Sequence, residues 1–425
     1  MHDDILEHYP IDTHILSSMV GLARRDSDFD LFWRRFVVAD MLSKQTPEQF
    51  NALPSQPWYR EYWRLVGECR RETKYADAEK NLRDQTLEML RRENDQSKRQ
   101  LFAAILLLFG DIERALPIID RQLWASKFRE DFATFMKLER TRQVKEFLRT
   151  RYASLIERFS KTDWDSMKFE KVAPKDYKIF YCWLQGREEM PPLVRCCFNS
   201  VRMNAGNREI CFIDEKNYSA YVDLPSRVID KYRSGKISRT HFSDILRGNL
   251  LEHYGGLWLD ATMLVTEPLD RHQDFWTRTY FTQKYCHEKN TDNPYVKAFQ
   301  CYASYARWGS FLQGSCIKHH PLFVFLSEFY REYWRDFDEI IDYVLIDFII
   351  DLAYENIPFV HRELDSVPIN NLDINTLVFH LNEPYVKYPF DKIINDTFFH
   401  KLSWKTPLDL QSDGTVFREI VRRYG

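Results

Sequence analysis

An α/β fold built on a doubly wound, mostly parallel sheet is what the second part of this sequence predicts, on three observations. Short apolar runs bounded by polar punctuation alternate with helical spacing from residue 176 onward. The connections between the first three runs are long enough to return each strand parallel to the one before. The stretch 243–262, SDILRGNLLEHYGGLWLDAT, passes a helix straight into a strand that ends on Asp260.

Along the chain, residues 1–165 come first and read as an all-helical N-terminal region. Glycine is confined there to Gly21, Gly67 and Gly110, and apolar residues recur every three or four positions, as at Phe29, Phe32 and Phe36. Its most charged part, 127–161, carries ten basic and five acidic residues around an apolar stripe that includes Phe132, Phe135, Phe147 and Leu155. That segment is a packed helix with a solvated basic face, or a surface that rests on anionic lipid or a charged glycan carrier.

The texture changes near Lys171, and 170–425 reads as a second domain. DYKIFYCWL (176–184) is its first strand, followed by Gln185 and Gly186. Pro191 and Pro192 open a helix to about residue 204, because proline is tolerated in a first helical turn. EICFI (209–213) is the second strand and ends at Asp214; a short amphipathic helix (216–222) and a helix after Pro225 follow. In the organising stretch Leu246, Leu250 and Leu251 keep helical spacing, and Asp244 and Arg247 lie three apart on one face. Gly255 and Gly256 stop the helix, and Leu257-Trp258-Leu259 is the third strand. Ligand crevices of open α/β sheets lie at the carboxyl ends of the strands, which is where Asp260 emerges. Further on, 281–285 and 308–315 are strands or loops, and 342–350 is an apolar helix.

Composition narrows the classes. The 425 residues suit two domains, and 60 basic against 63 acidic residues, net −3, argue against a nucleic-acid binder. The polar, acidic start MHDDILEHYP cannot serve as a signal peptide, and the apolar run 101–109 is too short to span a bilayer. Eight cysteines without CxxC spacing read as reduced core thiols of a cytoplasmic protein. No G-x-G-x-x-G follows the first strand, and P-loop, G-x-S-x-G and H-E-x-x-H patterns are missing, which disfavours dinucleotide enzymes, P-loop ATPases and the common hydrolases.

The stretch SDILRGNLLEHYGGLWLDAT, with YCWLQG and PPLVRCCFNS upstream and KLSWK downstream, resembles the bacterial capsular polysaccharide synthesis glycosyltransferases. More distantly it resembles the DXD-bearing sugar transferases that include yeast mannosyltransferases and the large glucosylating clostridial toxins. The resemblance covers roughly 175–405. It implies a GT-A-like fold, a nucleotide-sugar donor, a divalent metal (manganese or magnesium) and retention of anomeric configuration. It also implies that Asp244 and Arg247 contact the ribose and sugar of the donor and that Trp183 stacks on the base. The sequence departs from the full DXD pattern at Thr262, which offers only a neutral oxygen.

The residues support these roles in their own right. A diphosphate leaving group needs its charge neutralised, and a hard cation held by carboxylates suits that task, making Asp260 the metal ligand. The carboxylate of Asp244 can accept from sugar hydroxyls while the Arg247 guanidinium supports a phosphate oxygen; the alternative is a salt bridge on a solvated helix face. Trp183 stacks on a base or fills the core, and Gln185 and Gly186 allow close backbone approach to a nucleotide. Gln313, with Gly314 and Ser315, is a candidate for sugar contacts. Asp347, an acid in an apolar helix, is either paired structurally or faces the acceptor as a catalytic group. In HKLSWK, His400 is the candidate second metal ligand, and Ser403 and Trp404 close over the donor, as the H-x-x-S-W pattern of the wider superfamily implies.

The expected activity is transfer of a sugar from a nucleoside-diphosphate sugar, with UDP as the carrier, to a growing surface glycan. The acceptor is free or lipid-linked, and the protein makes peripheral contact with the inner membrane or with polysaccharide assembly proteins. Two other classes stay open: a catalytically degenerate glycan-binding or scaffold subunit, which Thr262 keeps in view, and a metal-dependent phosphodiesterase or nucleotidyltransferase.

Overall fold

The computed structural model describes residues 144–287 and 303–425, together with Leu87, Glu88, Arg91, Arg92 and Thr141. The helical expectation for the N-terminal region therefore lies mostly outside the described residues. The chain divides into two compact units, Met1–Phe147 and Leu148–Gly425, and the elements named here belong to the second.

Its first helix, α1 (Ala153–Lys161), buries Leu155, Ile156 and Phe159. The division thus falls before residue 165, and α1 joins the core of the second unit through Phe159, whose ring meets Phe325 edge-on at 5.1 Å. Arg151 pairs with Asp336 at 3.1 Å and Arg158 with Glu328, so part of the basic segment is matched by acidic side chains of this same unit.

Next come β1 (Ile179–Cys182), α2 (Pro192–Asn204), β2 (Ile210–Ile213), α3 (Ser226–Arg233), α4 (Arg239–Tyr254) and β3 (Gly256–Leu259). Then follow β4 (Met263–Val265), α5 (Asp274–Thr277), β5 (Phe281–Gln283), β6 (Gly309–Ser315), α6 (Pro321–Asp336), α7 (Leu345–Asn356) and α8 (Pro358–Ser366). The chain closes with α9 (Lys387–Asp396), β7 (Phe399–Lys401) and α10 (Val416–Tyr424).

The main sheet has the order β2-β1-β3-β6-β5. Strands β2, β1 and β3 are parallel, while β6 runs antiparallel to both of its neighbours. The sheet is therefore mostly parallel with one reversed strand. IFYC in β1 and GLWL in β3 are buried throughout, which is why they lack the alternation of a half-exposed strand. A separate two-stranded sheet pairs β4 with β7 antiparallel, setting Met263 opposite Lys401.

Helix α4 starts at Arg239, ahead of the apolar spacing, because the Ser238 hydroxyl caps it by accepting from the His241 backbone N–H at 3.3 Å. Its Gly248 lies against α6, where a Cβ would come 3.4 Å from the Leu326 Cβ. The break at Gly255 and Gly256 demands glycine twice over. Both have positive φ (62° and 97°), and a Cβ would fall 2.8 Å from the Ser315 carbonyl oxygen or 2.6 Å from that of Lys178. This double glycine lets the helix turn directly into the sheet.

A second apolar cluster holds the C-terminal segment against the sheet layer. Leu193 and Cys197 of α2 pack with Leu264, Phe390, Leu402, Phe417 and Ile420. Each such fully buried side chain contributes about 1.5–3 kcal/mol, enough to fix β7 beside β4. The six described cysteines are free and buried, as reduced core thiols should be. Among the described residues, no helix is long and apolar enough to cross a membrane.

Candidate active site

The loops leaving β1 and β3, the amino-terminal half of α4, the start of β6, the approach to α7 and the end of β7 enclose a cleft of about 620 Å³. It opens at the carboxyl ends of the parallel strands, the edge where the backbone leaves pairing and side chains become available to a ligand. Asp260, Asp244, Arg247, Trp183, Gln185, Ser403 and Trp404, seven of the residues singled out from sequence, all line it. Helical spacing explains the α4 wall, since Thr240, Ser243, Asp244 and Arg247 share one face.

Asp260 is the hub. Its Oδ1 accepts from Arg247 Nη2 at 3.0 Å and from the Trp258 indole N–H at 2.9 Å, and its Oδ2 accepts from Lys401 Nζ at 2.7 Å. Lys401 Nζ also donates to the Thr262 hydroxyl at 3.0 Å. Burial pushes the Asp260 pKa up, but the Lys401 ammonium and the Arg247 guanidinium outweigh it and hold the carboxyl below its ordinary value. Asp260 is therefore ionised at neutral pH.

Asp244 behaves oppositely. Arg247 Nη2 lies 3.1 Å from its Oδ1, but the pair is buried on the helix rather than solvated. Desolvation dominates, Asp260 and Asp347 add repulsion, and the Asp244 carboxyl is pushed up to about 7 despite Arg247. Arg247 stacks its guanidinium over the Trp258 ring at 4.9 Å, and its Nε–H has no hydrogen-bond partner.

At the rim Trp183 and Trp404 meet edge to face, with ring centres 5.9 Å apart. Trp183 is nearly buried and donates its indole N–H to the Glu189 carbonyl at 3.3 Å, whereas Trp404 is about half exposed. Lys405 and Arg239, the latter held by Glu215 at 3.0 Å, also line it, so four cationic side chains stand against Asp244, Asp260 and that one outlying glutamate. The cleft is electropositive.

Six expected site residues lie outside it, among them Gly314 and Ser315 of β6. Gly186 follows Gln185 in the turn but does not line the cleft. Gln313 is fully buried in β6 and donates to the Tyr280 hydroxyl at 3.3 Å. Asp347 is buried and accepts from the Trp308 indole at 3.1 Å. His400 is fully buried with Nε2 3.4 Å from the Thr266 hydroxyl, and burial drops its pKa to about 3. The reason is strand alternation: successive residues of β7 face opposite ways, so the register that turns Lys401 toward Asp260 turns His400 away.

Sequence reasoning missed Lys401, Arg239 and Lys405, and it named Trp258 only as part of the third strand. Lys401 reaches Asp260 across 141 residues of chain, through a short antiparallel pairing with no turn signal. The one available clue was period-two alternation in FFHKL (398–402), which allows His400 or Lys401, but not both, to face the cleft.

A divalent cation does not fit the donor set as it stands. Both Asp260 oxygens and the Thr262 hydroxyl are engaged by cations or N–H donors, and His400 faces elsewhere. Among the described residues, no three His, Cys, Asp or Glu side chains converge to hold a metal ion.

The fold and cleft define an α/β protein with an electropositive site at the carboxyl edge of its sheet. Residues 125–420 match the family described as capsular polysaccharide synthesis protein, and the chain belongs to that family. Comparison with curated proteins and with solved structures gave no match.

Proposed function

We propose that this chain is a glycosyltransferase with a GT-A-like fold that moves a sugar from a nucleoside-diphosphate sugar, with UDP as the carrier, onto a glycan acceptor of a capsule or other surface polysaccharide. The observation that carries the reading is the cleft itself: four cations, one of them paired outside with Glu215, against two carboxylates beside a pair of indoles, at the carboxyl ends of parallel strands. A diphosphate matches the cationic excess, a base matches an aromatic wall, and sugar hydroxyls match Asp244.

In the transfer, the bond between the sugar anomeric carbon and the diphosphate oxygen breaks, and its electron pair stays on the diphosphate. The acceptor hydroxyl oxygen bonds to that carbon and its proton passes to the leaving diphosphate, a front-face course that retains configuration and needs no separate base. Arg247 supports the developing negative charge, Asp260 holds Arg247 in place, and the walls align the two substrates. Trp183 and Trp404 flank the base, Gln185 and Ser403 offer polar contacts, and a free or lipid-linked acceptor enters past Tyr343. Function at the cytoplasmic face of the inner membrane, beside polysaccharide assembly proteins, belongs to the same proposal.

The test is a donor screen following release of UDP, GDP or CMP, with the product's anomeric configuration read by NMR. Release from a UDP-sugar with retained configuration supports the reading. Release from none of the donors refutes it and favours a glycan-binding scaffold subunit, the alternative to which Thr262 points.

A further inference from the structure

We propose that the Lys401 ammonium, rather than a divalent metal ion, is the cation that neutralises the donor diphosphate, and that this site binds its nucleotide without metal. The inference rests on the reading of the cleft as a nucleoside-diphosphate site and departs from the metal dependence that the family resemblance implies.

The position is the one a metal would need. Lys401 Nζ sits 2.7 Å from Asp260 Oδ2 and 3.0 Å from the Thr262 hydroxyl, bridging the two residues that a DXD site would use as ligands. The charge change at residue 262 matches the charge of the cation. A second aspartate would pair naturally with a dication, whereas one carboxylate and one neutral hydroxyl suit a monocation. Asp260 is thereby shared between Lys401 and Arg247, and Arg247 is shared in turn with Asp244, whose carboxyl burial pushes up to about 7, so near neutral pH part of the positive charge is left for a ligand.

The lysine is also held there by backbone, not by its own side chain alone. Lys401 N–H donates to the Ile374 carbonyl at 2.8 Å, and the next residue, Leu402, donates to the Thr262 carbonyl at 2.9 Å. Residues 262 and 402 are thus clipped together at the edge of the cleft, and the Lys401 ammonium lies over the Phe311 ring at 5.1 Å. The Lys401 and Asp260 side chains retain 23% and 28% exposure, so a phosphate oxygen can reach the ammonium without displacing either residue. A lysine held in advance acts as a point charge on a phosphate and needs no reorganisation when the charge develops.

The test is calorimetric titration of the full chain with UDP, GDP, CDP and ADP, first in EDTA and then in millimolar manganese, with uridine as the control for base binding. The expected result is that the favoured diphosphate binds in EDTA and that manganese changes its Kd by less than about tenfold, which is 1.4 kcal/mol. Lys401→Ala should weaken diphosphate binding by about 10- to 100-fold, the worth of a hydrogen bond to a charged group, and leave uridine binding unchanged. Lys401→Arg, which keeps the charge, should retain metal-free binding.

Diphosphate binding that requires manganese in the unaltered protein overturns the proposal and leaves the nucleotide-sugar reading standing. So does diphosphate binding that Lys401→Ala does not alter. Failure of every diphosphate to bind in either condition overturns both. The comparison of EDTA with manganese needs no variant, so it decides metal dependence even if Lys401→Ala does not fold; Lys401→Gln then tests the lysine, and diphosphate binding that it leaves unchanged overturns the proposal.

Discussion

Two places in this molecule are built from the same parts and do different things. In the cleft, Arg247 lies over Trp258 at 4.9 Å, pairs with Asp244 and Asp260, and shares Asp260 with the Trp258 indole N–H. Between the start of β6 and α7, Arg307 lies over Trp308 at 4.6 Å, pairs with Asp351 at 2.6 Å, and the Trp308 indole N–H donates to Asp347. The second cluster is sealed: the Arg307 and Asp351 side chains are 4% and 2% exposed. Arg307 also donates Nε to the Ser304 carbonyl and Nη2 to that of Ala303. The cleft cluster is partly open, has an extra cation in Lys401, and leaves the Arg247 Nε–H unpaired. A buried ion pair whose donors the protein satisfies serves the fold. The same pair with surplus charge and an open side is prepared for a ligand.

The largest effect that separates the two is expected at Asp260. Asp260→Asn should lower transfer by about 10³-fold, since it releases Arg247 and Lys401 from their positions, with the thermal transition nearly unchanged. A steady-state assay beside a melting curve reads both, and near-normal turnover breaks the distinction. Arg307→Ala should do the reverse. Loss of the Arg307 partner from the buried Asp351 carboxylate costs about 3 kcal/mol in a urea titration, while the folded fraction keeps its turnover. Lost turnover at full stability would place Arg307 in the machinery.

Trp183→Ala is expected to raise the donor KM by about tenfold, with a smaller change in kcat, because base stacking contributes about 1–3 kcal/mol. An unchanged KM returns Trp183 to the core. The smallest effect is in pH dependence. With the Asp244 carboxyl pushed up to about 7 by burial, the folded protein holds a proton that the unfolded chain has already lost above pH 4. Stability should therefore fall as pH rises toward 7, and donor affinity should rise as Asp244 ionises to accept from the sugar. Asp244→Asn should flatten both curves; identical profiles would remove Asp244 from donor binding.

How much of this could be read from sequence follows from how local each signal is. Helix α4, the double glycine and β3 are contiguous, and each carries its own cue, so Asp244, Arg247 and Asp260 fell on one cleft wall as the spacing implied. Trp183 and Gln185 came with the first strand for the same reason. Position in the last strand was ambiguous, because a three-residue strand gives no pattern long enough to fix which neighbour faces in, and His400 was taken where Lys401 stands. Asp347 reads as either structurally paired or facing the acceptor, and the Trp308 indole that donates to it is distant in sequence and lies in the sealed cluster. Gln313 sits in an interior strand that reads as loop or strand by composition, and its side chain meets Tyr280, which lies just before β5 and is distant in sequence.

The central claim is that the charge at Asp260, Arg247 and Lys401 exists to receive a nucleoside diphosphate. The most direct measurement is release of the nucleoside diphosphate from a panel of nucleotide sugars by the unaltered chain and by Asp260→Asn. The account predicts release from a UDP-sugar by the unaltered chain and its near-complete loss in the variant. Equal release by both proteins, or none from any donor, would contradict it.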